Sequence, residues 1–517
     1  REDLDRACDR VAALLLRVAA GRAANSGAPD LDAHHALARR AAAAGTVLLA
    51  NDGLLPLSGQ GRVALIGAFA ETPRYQGAGS SQVQPTRLDA ALPALRERLG
   101  DRLDYAPGYD AATGATTPEL LAETRRVAAG ADAVILLVGL PASHESEGFD
   151  REHLRLPRGH DDLVEVVTVA NPRTAAVLCN GAPVEIGWAD RPAALVEAYL
   201  GGQAGGAALV DVLFGDVEPG GRLAESFPMA GSELPASANF SDHPTQVQYR
   251  EGFNVGYRFH DTAHVAPRFC FGHGLGYTRF EYSEPIVTGA GVDRDVSLTV
   301  TNVGQRAGSE VVQLYVHDPV STLARPEQEL KAFSKVHLAA GESARVVLPL
   351  NRRSFAVYDV ASASWLVEAG DFELRVGASS GHPRAGDGQH RVVGRRHSGP
   401  DAGRADRDRA GVRRAARTPR PRAASPVAPA PRLHHQRPEA EPARREDQRR
   451  SAQGGHEAVR PGPGRRDAGH AQGGRRAEPP AQSRRDVWRQ GQLRDAGTRP
   501  GRAESPQALT ADRIRAG

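Results

Sequence analysis

The densest group of side chains able to do acid–base chemistry is Ser143-His144-Glu145-Ser146-Glu147-Gly148-Phe149-Asp150-Arg151. Three carboxyls beside one arginine can hold different pKa values, which is what paired acid and base roles require. The run directly follows ADAVILLVG (131–139), the strongest strand pattern in the chain. In open α/β sheets, ligands bind at loops beyond the carboxyl ends of strands, so the position suits a site. On spacing alone the plainer reading is a solvated acidic loop with an internal Asp–Arg pair. A zinc-protease reading fails, because Gly148 stands where the second histidine of H-E-x-x-H belongs.

A second candidate is Arg74-Tyr75-Gln76-Gly77-Ala78-Gly79-Ser80-Ser81, which follows the short apolar run 62–67. Its glycines would let a ligand approach the backbone, and Arg74, Gln76 and Ser80 could bond hydroxyl groups. It lacks the G-K-[ST] ending of a phosphate loop, and a ligand-free glycine turn is its alternative. His273 lies in an aromatic-flanked glycine turn, Phe271–Tyr277, and reads as structural. Cys8, Cys179 and Cys270 have neither metal-ligand spacing nor an evident partner base, so thiol chemistry and a disulfide framework are not expected.

The elements that must hold these loops alternate. Residues 4–20 and 32–44 have helical periodicity; 62–67, 131–139, 174–180 and 194–200 read as buried strands. Thr117-Pro118 marks the start of a helix ending near Gly130, and further helices fall near 160–169 and 203–214. Buried strands alternating with helices predict an α/β domain over 36–230, a mostly parallel sheet between helices. Residues 231–284 form a loop-rich connector. Beyond it the apolar period becomes two, in Val296/Leu298/Val300, Val312/Leu314/Val316, Val346/Leu348/Leu350 and Phe372/Leu374/Val376. That pattern predicts an all-β sandwich over 285–380.

From 381 to 517 the composition turns to Arg, Ala, Gly and Pro, and beyond 398 Trp488 is the sole aromatic. Such a segment cannot bury enough apolar surface to offset its ordering entropy, so no fold is expected there. A frameshift near 380–385 in a GC-rich gene would produce this composition. The net charge of +3 is too small to argue for a nucleic-acid partner. Acidic residues interspersed through the tail and its lack of stacking aromatics oppose one as well. No apolar run is long enough to span a membrane, and no signal-peptide pattern opens the chain. Cytoplasmic placement is mildly favoured, while compartment and oligomeric state are not legible.

Six segments together resemble glycoside hydrolase family 3: ARRAAAAGTVLLANDGLLPL (38–57), RYQGAGSSQVQPT (74–86), ESEGFDREHLRLP (145–157), GGQAGGAALVDVLFGDVEPGGRL (201–223), YREGFNVGYRF (249–259) and FGHGLGYTRFEYS (271–283). The resemblance covers about residues 1–380. It implies the α/β sandwich domain and a fibronectin type III-like domain, with 1–35 resembling the last helix of the family's catalytic barrel and a linker. It also implies a β-glucosidase-like exo-hydrolase acting on terminal β-linked sugars by the retaining route, without cofactor or metal. In E-G-x-D-R the glutamate before glycine matches the family's acid/base, which places that role on Glu147. Arg74, Gln76, Gly77, Ser80, Glu145, Asp150 and Arg151 are then expected around the sugar. The nucleophile belongs to the barrel, so this chain alone is expected to turn over little or nothing. A carbohydrate-binding or scaffold piece without turnover is the alternative. Ala204, Cys270 and Gly276 depart mildly from the family's pattern.

Overall fold

The computed structural model describes residues 1–24, 27–237, 239–240 and 245–381, and the backbone of the strand His390–Val393. Other than that strand and residue 381, the expectation for 381–517 lies outside the described residues.

Helix α1 (Glu2–Ala24) buries none of its residues. Helix α2 (Leu31–Gly45) starts where the Asp30 side chain accepts from Ala33 N. The α/β layer then runs β1 (Val47–Asn51), β2 (Val63–Ile66), α3 (Ala91–Leu99), β3 (Leu103–Ala106), α4 (Pro118–Ala129), β4 (Ala133–Gly139), α5 (Arg158–Ala170), β5 (Thr174–Cys179), β6 (Ala194–Glu197) and α6 (Gly205–Leu213). Strand order is β1-β6-β5-β4-β2-β3. All neighbours are parallel except β1, which pairs antiparallel with β6 at the edge. Every residue of β2, β4, β5 and β6 is buried, as a parallel sheet covered on both faces requires.

This order has one functional consequence. From β2 the chain moves outward to β3, then returns to place β4 on the other side of β2. The sheet therefore has a switch point between β2 and β4, the place where open α/β sheets bind ligands. The loops leaving those two strands are 67–90 and 140–157, the two singled out by their chemistry.

Helix α7 (Tyr257–Ala263) lies in the connector. The all-β part follows as β7 (Phe280–Tyr282), β8 (Ile286–Ala290), β9 (Asp293–Asn302), β10 (Gly308–His317), β11 (Glu329–Leu338), β12 (Ser343–Leu350), the short α8 (Arg352–Phe355), β13 (Val357–Asp359), β14 (Ser364–Leu366), β15 (Glu373–Gly377) and β16 (His390–Val393). One sheet is ordered β11-β10-β15-β16 and the other β12-β9-β7, with β8 also on β9. Val296, Leu298, Val300, Val312, Leu314, Val316, Val346, Leu348, Leu350, Leu374 and Val376 form its core. The period-two residues thus face inward between two sheets. β16 extends the first sheet beyond residue 380, past the boundary expected from composition, by pairing antiparallel with β15.

The two folded parts meet in a polar joint. Glu218, between α6 and the connector, accepts from Ser309 N at 2.5 Å. Arg222 pairs with Glu310 at 3.3 Å with both side chains buried, and Lys335 donates to Gly220 O at 2.8 Å. Burial pushes the Glu218 carboxyl up to about 7; the Ser309 amide, Arg222 and Lys335 oppose the rise, and Glu310 adds to it. A carboxyl raised in the folded state favours folding fully below its unfolded pKa of 4.5. That contribution is lost as pH climbs through about 7. Glu218→Gln should therefore stabilise the chain at pH 8, by about 1–2 kcal/mol after allowance for solvent screening. Its advantage should vanish near pH 4.5. Denaturant unfolding at both pH values checks this, and an equal effect at both would contradict it.

Candidate active site

At the switch point the two loops close on each other. Glu147 N donates to Ala78 O at 3.1 Å, and the Ser80 hydroxyl donates to Glu147 Oε2. Gly79 has φ +93°, and a Cβ there would lie 2.7 Å from Glu147 Cβ, so only glycine lets the loops approach this closely. Glu147 remains exposed, as do Ser80, Gly148 and Asp150. Its carboxylate is thus oriented by a hydroxyl yet open to a ligand.

The other expected contacts divide. Gln76 closes its own loop: its amide donates to Val83 O at 2.9 Å and to the Tyr75 hydroxyl at 2.8 Å, and its oxygen accepts from Val83 N. Gly77 is half-buried beside it. Arg74 donates to Leu140 O at 2.7 Å and to Gln76 O at 3.2 Å, tying the first loop to the end of β4. Glu145 accepts from Gly181 N at 2.9 and 3.1 Å and lies 3.6 Å from Arg74. Arg151 donates to Pro183 O at 3.1 Å. Ser80, Glu147 and Asp150 therefore face outward, whereas Arg74, Glu145 and Arg151 engage the protein itself.

Local charges follow burial. Burial lowers the Arg74 guanidinium, and Glu145 partly restores it; burial likewise lowers Arg151, against Glu145, Glu185 and Glu225. Burial raises Glu225, with Glu145 adding and Arg151 opposing. Burial, then His153 and Arg151, holds His144 below the usual imidazole value, which favours its neutral form. Glu197 is fully buried and accepts from Tyr199 N and Asn180 Nδ2; its desolvation pushes the carboxyl well above the usual range. Asn180, Gly181, Glu197 and Glu225 were not singled out by sequence, since an Asn-Gly after one strand and isolated glutamates carry too little pattern.

Beside the first loop lies a groove of about 380 Å³, lined among others by His34, Tyr75, Gln76, Gln84 and Gln203. His273 contacts Leu49 O at 2.8 Å and stacks on Phe269, a structural place. The three cysteines are free, and burial raises the Cys179 thiol to about 12, so it is unreactive.

Residues 46–277 match the glycosyl hydrolase family 3 C-terminal domain, and 310–380 match a fibronectin type III-like domain. The chain belongs to glycosyl hydrolase family 3. It is 45% identical over 384 residues to thermostable beta-glucosidase B of Acetivibrio thermocellus, covering 73% of this chain and 51% of that protein. An exo-alpha-(1->6)-L-arabinopyranosidase of Bifidobacterium breve is 40% identical over 68% of this chain and 48% of its own length. The crystal structure of the Bifidobacterium adolescentis family 3 beta-glucosidase superposes with a TM-score of 0.67 at 39% identity, covering 71% of this chain and 54% of that one. The family 3 chain therefore spans about half the length of the curated relatives it matches. Among its described residues no helix is long and apolar enough to cross a membrane.

Proposed function

We propose that this chain carries the general acid/base, Glu147, of an exo-acting, retaining hydrolysis of terminal β-D-glycosyl residues. The observation that carries the reading is the exposed carboxylate of Glu147, the first residue of E-G-x-D-R, on a switch-point loop and held by the Ser80 hydroxyl. A sugar lying against Gly77–Ser80 and Asp150 would present its glycosidic oxygen to Glu147. Proton transfer to that oxygen lets the leaving sugar depart as a neutral alcohol. The relatives' names support glycoside hydrolysis, and because one names an arabinopyranoside, they carry the reaction further than the sugar.

The retaining route needs a second carboxyl about 5–5.5 Å from the first, on the opposite face of the sugar. Glu145 is tied to Gly181 and Arg74, which disfavours it as nucleophile. We place the nucleophile in the half of the relatives' length that this chain does not match. The chain alone should then hydrolyse an activated aryl β-glucoside at no more than background. Supplying the unmatched half of the Acetivibrio enzyme should raise the rate by at least about 100-fold, since positioning and nucleophile are restored together. Robust turnover by the chain alone would overturn this placement. The matched length also favours a second reading, carbohydrate binding without turnover. Saturable sugar binding with no activity in either preparation would support it.

A further inference from the structure

Glu145 is two residues from Glu147, and its surroundings differ. Both its oxygens face Gly181 N, at 3.1 and 2.9 Å, and one lies 3.6 Å from Arg74 Nη2. The side chains of Glu145 and Arg74 are only 17% and 10% exposed, so this charge pair is little screened. Gly181 admits the carboxylate because it has no side chain: a Cβ there would lie 3.1 Å from Glu145 Oε1 and 3.2 Å from Leu200 Cδ1. Three loops meet at this one carboxylate. Glu145 belongs to the loop after β4, Gly181 to the loop after β5, and Arg74 to the loop after β2.

The same loop is tied a second time beyond Glu147. Arg151 donates to Pro183 O at 3.1 Å, again reaching the segment after β5. Glu147 thus sits between two anchors, at 145 and 151, and its own amide is held by Ala78 O. Glycine follows it at 148 with φ +98°, a conformation that permits a sharp turn but gives no stiffness. Without the anchors, little in the loop itself would fix the glutamate's position.

We propose that Glu145 is a positioning residue, a carboxylate pin that fixes the Glu147 loop to the amide of Gly181 and to Arg74 and makes no contact with sugar. The proposal rests on the reading of Glu147 as acid/base. A carboxylate with both oxygens on a backbone amide and a guanidinium alongside has its lone pairs directed into the protein. That leaves it no free face toward a ligand, whereas its exposed neighbour keeps one. The arrangement explains why two similar glutamates stand so close: one sets the other's place.

The test is amide hydrogen exchange on the full 517-residue chain, comparing wild type, Glu145→Ala and Glu145→Gln. Glutamine keeps an acceptor oxygen for Gly181 N, while alanine keeps none. Exchange across 141–151 and 180–183 should accelerate roughly tenfold or more in the alanine variant, the scale of a lost hydrogen bond to a charged group. The glutamine variant should recover most of that protection. Strands β4 and β5 should exchange as in wild type throughout. Unchanged loop exchange in Glu145→Ala would overturn the proposal. So would equal acceleration in the loops and in β4 and β5, which would make Glu145 a general contributor to folding. The measurement needs no turnover, so a failed acid assignment for Glu147 and a failed pin give different results.

Discussion

With the unmatched half of a relative supplied, Glu147→Gln should slow hydrolysis of a disaccharide β-glucoside by roughly 10²–10⁴-fold, the usual worth of general acid catalysis. An activated aryl β-glucoside should lose far less in its bond-breaking step. The difference arises at the leaving oxygen. A sugar alkoxide is too basic to depart without a proton, whereas a nitrophenolate departs unaided. Glutamine preserves the shape of the side chain and can still accept from Ser80, so the loop should stay in place. Pre-steady-state rates for both substrates, in wild type and variant, provide the check. Equal loss on the two would remove the proton-donor role. A larger loss at Glu145→Gln than at Glu147→Gln would move the acid to Glu145 and defeat the positioning argument as well.

Gly139→Ala should destabilise the α/β domain by about 3–5 kcal/mol, at the upper end of single-residue effects. Gly139 ends the central strand, and a Cβ there would lie 2.1 Å from the Cys179 carbonyl oxygen and 2.6 Å from its carbon. Those are backbone atoms of a neighbouring central strand, so no rotamer change relieves the overlap. Relief requires β4 and β5 to part, just where Leu140 N bonds Cys179 O at 3.2 Å and the site loops begin. Unfolding by denaturant should show the loss. A variant within about 1 kcal/mol of wild type would mean that the strand ends are looser than this packing implies.

The contrast between those two positions shows what the sequence can and cannot disclose. Both site loops were legible, because a run of carboxyls and a run of glycines each follow an unmistakable apolar strand. The inward faces of the β-sandwich were legible as well, since Val296, Leu298 and Val300 alternate without interruption. β1 was not, because only Gly45-Thr46 separates VLLAN from an alanine-rich helical pattern, and its antiparallel pairing depends on β6, far along the chain. β3 was missed because LDYA is short and half polar. The resemblance put the acid/base role on Glu147 and Glu145 beside the sugar, but the tie of Glu145 to the protein could not be read: it depends on which carboxylate meets Gly181 N, a contact across 36 residues. Gly139 gave no local signal either, since its constraint is another strand's carbonyl.

Azide most directly tests the claim that Glu147 is the acid/base of a retaining site. In the complemented enzyme, Glu147→Ala should form the glycosyl intermediate from an activated aryl β-glucoside but release it slowly, because no base activates water. Azide needs no base, enters the space left by the carboxyl and attacks the same face. The account predicts that azide restores turnover and that the product is the β-glycosyl azide. No rescue, or an α-glycosyl azide, would contradict it.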